Sequence, residues 1–180
     1  DYNWMMNLVE EMVEKVALDI YGKTEVQVGE HIINFKKPWQ RYSMYEVIEH
    51  FTGVDISMMD EEELKDTAIK MGVTIDKSMA RGKLIDEVFG QKCEGKLIQP
   101  TFITDYPIEM SPLAKKHRKH KGLVERFEAV CNGKEICNAF SELNDPIDQR
   151  IRFEQQLELE KRGDKEAMLL DEDFIRSLEY

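Results

Sequence analysis

From Trp4 to Ile20 apolar residues recur at spacings of three and four: Trp4, Leu8, Val9, Met12, Val13, Val16 and Ile20. This predicts one amphipathic helix over 3–21, with Glu10, Glu11, Glu14 and Lys15 on its wet face and Gly22 as its stop. Period-two alternation from Thr24 to Phe35 around Gly29-Glu30 then predicts a β-hairpin, ended by Pro38. Ser43 and Glu46 form a capping-box pattern for a helix with Met44, Val47, Ile48 and Phe51 on its apolar face, closed by Gly53. Residues 55–94 change character. Asp60 to Glu63 open a helix carrying Leu64, Ala68, Ile69 and Met71, and a second helix spans about 78–93 with Met79, Leu84, Ile85, Val88 and Phe89 apolar.

The β signal returns at Leu97 to Thr104, with Pro100 at an edge or a bulge. Pro107, Pro112 and Gly122 punctuate a loop over 107–122. Glu125 to Cys137 is a second hairpin with Asn132-Gly133 as a type I′ turn. Asp145 caps a helix that has Pro146 at its first position and runs to about Arg162. Asp171 starts another, with Phe174, Ile175 and Leu178 on one side. The class is α+β, in three parts: 1–54 and 95–180 form a β-containing core, and 55–94 is a small helical insert.

A chain of 180 residues buries roughly 70% of its unfolded surface and folds without staples. With 42% apolar and 34% charged residues the composition is that of a soluble globular protein. The net charge of −11 argues against a chain-wide nucleic-acid footprint but not against a local one. Lys115, Lys116, Arg118, Lys119 and Lys121 are such a local cluster, read either as a phosphate contact or as a solvated charge run. No apolar run has the length of a membrane span. Cys93, Cys131 and Cys137 have no Cys-x-x-Cys spacing and read as buried thiols of a reducing, cytoplasmic setting.

The second hairpin carries the chemistry. With Asn132-Gly133 as the turn, regular pairing sets Cys131 opposite Lys134, Val130 opposite Glu135 and Glu128 opposite Cys137. Glu128 and Glu135 are then diagonal neighbours on one face, a seat for Mg²⁺ with phosphate oxygens or simply two solvated glutamates. Asn138, Phe140 and Glu142 follow at alternate positions. An amide, an aromatic and a carboxylate so placed suit an ammonium-bearing amino acid, and equally suit an ordinary strand. Strict alternation puts these three on the face opposite Glu128 and Glu135. One shared site therefore requires a bulge or strong twist near 137–139.

These residues resemble the bacterial class II lysyl-tRNA synthetases, in the stretch between that family's second and third class motifs. The resemblance rests on Leu97 to Pro107, Ser111 to Ala114, Arg126-Phe127-Glu128, Asn132 to Glu135, Asn138 to Pro146, Gly163-Asp164, Glu166 to Met168, and Asp171 to Asp173, and it covers essentially the whole chain. It implies activation of lysine with ATP to lysyl-adenylate, then transfer to the 3′ end of tRNA(Lys), by a cytoplasmic homodimer. It implies Glu128 and Glu135 as Mg²⁺ carboxylates beside ATP, and Asn138, Phe140 and Glu142 as the lysine pocket, with Glu142 on the ε-ammonium. It also places the Lys115–Lys121 run near the active-site entrance, within reach of the tRNA acceptor end.

Cys137 and Ala139 stand where some relatives carry glycine; both are small enough for close backbone approach, provided Cys137 avoids positive φ. The arginine-bearing second and third motifs, the dimer-forming first motif and the anticodon-binding barrel are absent from these residues, so the stretch alone is expected to be inactive. Two rival readings stand beside the ligase: a paralogue that attaches a lysine-like group to a protein, and a non-catalytic fragment or binding module.

Overall fold

A computed structural model describes residues 1–76, 78–164 and 167–179. Glu166 of the quoted motif lies outside the described residues. Among the described residues no helix is long and apolar enough to cross a membrane.

Helix α1 spans Tyr2–Tyr21, capped by the Asp1 carboxylate on the Trp4 N–H and closed by Gly22 in the left-handed region. Strands β1 (Glu25–Val28) and β2 (His31–Asn34) form the first hairpin as a separate two-stranded sheet. Strand β3 (Gln40–Ser43) leads directly into α2 (Met44–Thr52), whose Ser43–Glu46 capping box is complete. Helices α3 (Glu61–Lys70) and α4 (Arg81–Lys92) follow, and the Asp60 carboxylate accepts from Glu62 and Glu63 N–H to cap α3. Strands β4 (Thr101–Thr104), β5 (Arg126–Cys131) and β6 (Lys134–Phe140), then helices α5 (Pro146–Lys161) and α6 (Glu172–Ser177), complete the chain.

The main sheet has the order β3-β4-β5-β6 and is antiparallel except between β3 and β4, which are parallel. Parallel neighbours need a long crossover, and residues 44–100, carrying α2, α3 and α4, provide it. The crossover packs onto one sheet face. Met44, Val47, Ile48, Leu64, Ala68, Leu84, Ile85, Val88 and Phe89 share a core with Ile103 and Val130. Helix α1 covers the other face, where Tyr2, Met6 and Val9 meet Trp39, Phe102, Phe127 and Ala129.

Three sequence expectations change. Helix α1 is rotated about its axis from the predicted face. Trp4, Leu8, Met12, Val16 and Ile20 are exposed, while Tyr2, Met6, Val9 and Ala17 are buried. Glu10, expected in water, is 6% exposed. Its carboxylate accepts the Trp39 N–H at 3.0 Å and meets Arg41 at 3.3 Å, so it satisfies a backbone donor that the turn into β3 leaves open. The strand predicted over 97–104 shrinks to Thr101–Thr104, because Pro100 has no N–H for the ladder and a 3₁₀ turn occupies Glu94–Lys96. Ile69 also leaves the predicted apolar face of α3 and is 60% exposed.

Candidate functional site

The site is built on the β5–β6 hairpin. Asn132 and Gly133 both have positive φ, 53° and 69°, as a type I′ turn demands. The turn is held from below. Asn132 N–H donates to Ile98 O and Gly133 N–H to Leu97 O, each at 3.0 Å. A Cβ at Gly133 would stand 3.2 Å from Gly95 Cα, so the close approach and the positive φ both require glycine.

From the turn the pairs run Cys131 with Lys134 and Val130 with Glu135, as expected. The register then shifts between Ala129 and Val130, so that Ala129 pairs with Cys137 and Glu128 with Asn138. The expected Glu128–Cys137 pair is therefore replaced. Ile136 is the extra residue of a β-bulge, one position before the stretch where a bulge was required. Arg126 faces Phe140. Paired residues share a face, so Glu128, Glu135, Asn138 and Phe140 fall on one side, with Arg126 and Val130. The two clusters corroborate this: Cys137 and Ala139 pack with the α1 side, whereas Phe140 and Val130 pack with the crossover side. Glu142 lies just past β6, exposed, in a β-bridge to Ala114.

The side chains differ in what already engages them. Glu128 is 14% exposed and accepts from Arg126 Nη2 at 2.5 Å. Burial pushes its carboxyl up from the ordinary value and the neighbouring Glu135 charge adds to this, while Arg126 and Tyr106 pull it down. Glu135, Asn138 and Glu142 make no side-chain hydrogen bond or ion pair among the described residues. Burial raises all three thiols, Cys93 and Cys131 to about 11, and none is in a disulfide.

A cleft of about 700 Å³ opens beside Glu128, lined also by Tyr106, Met110, Arg126, Arg152 and Leu159. Arg162 and Glu61 are also in its lining and pair at 2.6 Å. Glu135, Asn138, Phe140 and Glu142 do not line it.

In the basic run, Lys116 pairs with Asp148 at 2.9 Å and Arg118 with both Asp1 and Glu125, at 2.8 and 2.7 Å. Lys115 reaches Asn144 at 3.3 Å. Lys119 and Lys121 are exposed and have no side-chain partner among the described residues.

A family model described as tRNA synthetases class II (D, K and N) matches residues 1–180. The chain belongs to this family. It is 59% identical over its whole length to a lysine–tRNA ligase of Porphyromonas gingivalis and 58% identical to those of Azobacteroides pseudotrichonymphae and Christiangramia forsetii. It spans about a third of these curated relatives, 31%, 36% and 32% of their lengths respectively.

Two residues that the fold sets against Glu128, Arg126 and Tyr106, are not marked by the sequence patterns. Arg126 was visible as a cation two residues from Glu128 on the same strand, the one available signal. Tyr106 carried none: it is buried beneath the Arg126 guanidinium, 4.5 Å from its ring centre, through a loop contact that no local pattern encodes.

Proposed function

We propose that the chain is the lysine- and ATP-handling stretch of a lysine–tRNA ligase. The full-length protein activates lysine with ATP, then moves the lysyl group to the 3′ end of tRNA(Lys). The observation that carries this reading is the bulge at Ile136. It brings Glu128, Glu135, Asn138 and Phe140 to one face in a chain 58–59% identical to lysine–tRNA ligases.

In the first step a lysine carboxylate oxygen attacks the α-phosphorus of ATP. That P–O bond forms as the bond to the bridging oxygen of the β-phosphate breaks, and pyrophosphate leaves. Asn138, Phe140 and Glu142 are assigned to lysine. The unengaged Glu142 carboxylate takes the ε-ammonium, Phe140 packs the alkyl stem, and Asn138 offers its amide. A substrate lacking the ammonium forgoes that charge-assisted hydrogen bond, which is the basis of selection.

Glu128 and Glu135 are assigned to Mg²⁺. Two carboxylates on one sheet face, one of them raised chiefly by its own burial with the other's charge adding, fit a divalent cation that neutralises them. Phosphate oxygens and water would supply the remaining ligands, since Mg²⁺ is ordinarily held by only one or two carboxylates beside substrate phosphates. When bound, Mg²⁺ neutralises phosphate charge and fixes the phosphates for in-line attack. Lys119 and Lys121 are the cations left to contact the tRNA acceptor end, since Lys115, Lys116 and Arg118 are engaged within the fold. A homodimer in the cytoplasm completes the reading, and three free thiols suit that compartment.

The test is amino-acid-dependent ATP–pyrophosphate exchange by the full-length protein, comparing lysine with norleucine, which has the same stem without the ammonium. Exchange with lysine and none with norleucine supports the reading. No exchange from folded protein overturns it and favours the paralogue or the binding module.

A further inference from the structure

Arg126 engages more of the candidate site than any other side chain. Its Nη2 donates to Glu128 Oε1 at 2.5 Å. Its Nη1 donates to Met110 O at 3.0 Å and to Ser111 Oγ at 2.8 Å. Its guanidinium centre lies 4.5 Å from the Tyr106 ring centre. Three directions of a planar, rigid cation are thus fixed at once: one by the strand, one by the 110–111 turn and one by the ring beneath. The Tyr106 hydroxyl is buried as well, and Tyr106 acts on the Glu128 carboxylate together with Arg126, both drawing its pKa down against the effect of burial.

We propose that Arg126 is a positioning residue for the Glu128 carboxylate. It holds Oε1 and stops the side chain from rotating, so that the carboxylate is already set in place when a cation binds it with Glu135. The inference rests on the assignment of Glu128 and Glu135 to a divalent cation. Its physical basis is the outer-shell effect: a ligand carboxylate held by hydrogen bonds loses less freedom on binding metal, and removing such a partner costs about 10- to 100-fold in metal affinity. The opposite expectation is also definite. If the guanidinium merely competes with the cation for Glu128, removing it strengthens metal binding.

The experiment titrates Mn²⁺ into full-length protein saturated with lysine and a non-hydrolysable ATP analogue, with free Mn²⁺ read by electron paramagnetic resonance. Arg126→Met is expected to weaken Mn²⁺ binding about tenfold or more. Arg126→Lys keeps the charge but not the fork, and is expected to weaken binding as well. Circular dichroism checks folding. Should Arg126→Met fail to fold, Ser111→Ala decides, since it frees one arm with Arg126 in place and is expected to weaken binding by a smaller factor. Unchanged or tighter Mn²⁺ binding in these variants overturns the proposal. Glu128→Gln and Glu135→Gln separate the two levels. If both abolish binding while the Arg126 variants do not, the cation site stands and the positioning role falls. If neither affects binding, the cation assignment falls and the positioning role with it.

Discussion

Replacing Gly133 by alanine tests the hairpin that carries the site. Two costs arise there. A residue with a Cβ at φ +69° loses about 1–2 kcal/mol in the left-handed region. The new Cβ also stands 3.2 Å from Gly95 Cα, 3.5 Å from Gly95 O and 3.7 Å from Glu94 O, all backbone atoms that cannot swing aside. Overpacking of this kind costs about 1–3 kcal/mol, and the reduced freedom of the unfolded chain returns about 0.4–1 kcal/mol. Combining these opposed contributions, we expect a net loss of about 2–3 kcal/mol. Gly29→Ala is the internal control: φ is +59° and no atom lies within 4 Å of its Cβ, so only the conformational cost applies. Native-state hydrogen exchange of the full-length protein reads each hairpin separately. Amides of 126–140 should exchange roughly 30- to 150-fold faster in Gly133→Ala, and those of 25–34 should accelerate by clearly less in Gly29→Ala. Equal acceleration in the two variants would refute the close contact with Gly95.

Glu10→Ala removes a buried acceptor and leaves the Trp39 N–H unpaired. The expected destabilisation is about 2–4 kcal/mol in chemical unfolding, against a few tenths for the exposed Glu11→Ala. Ser43→Ala breaks the capping box of α2 and should cost about 1 kcal/mol in the same assay. Asp148 supplies a pH dependence. Burial alone would raise its carboxyl, but hydrogen bonds from Lys116 and Arg152 hold it below the ordinary 3.8. Its contribution is therefore present above the unfolded value and lost as pH falls through the folded one. Unfolding monitored from pH 5 downward should show a shallower acid limb in Asp148→Asn than in the wild type, and an unchanged limb contradicts the ion-pair account.

What the sequence disclosed follows the range of the interactions involved. The Ser43 cap, the Asn132-Gly133 turn and the Asp145-Pro146 helix start are encoded within four residues, and the structure contains each of them. Strand β3 escaped notice because Gln40 to Ser43 is short and polar and pairs in parallel with a strand about 60 residues on, through the crossover. The rotation of α1 was hidden because its exposed stripe, Trp4 to Ile20, is as periodic as its buried one. Periodicity names a helix, but what packs against it chooses the face. At the site, spacing alone set Glu135 and Asn138 on opposite faces. The demand for a bulge was legible, but its place at Ile136 came only with the β5–β6 register. The pairing of Arg126 with the 110–111 turn depends on loop geometry that no sequence period records.

The central claim of the proposed function is that Glu142, just past the hairpin, meets the ε-ammonium of lysine. The most direct measurement is lysine-dependent ATP–pyrophosphate exchange by the full-length protein, wild type against Glu142→Gln. The glutamine keeps the shape and removes the charge that meets the ammonium. The account predicts exchange in the wild type and a loss of about tenfold or more in kcat/KM for lysine in the variant, the worth of one charge-assisted hydrogen bond of about 1.5–3 kcal/mol. Exchange that proceeds undiminished in Glu142→Gln would contradict it.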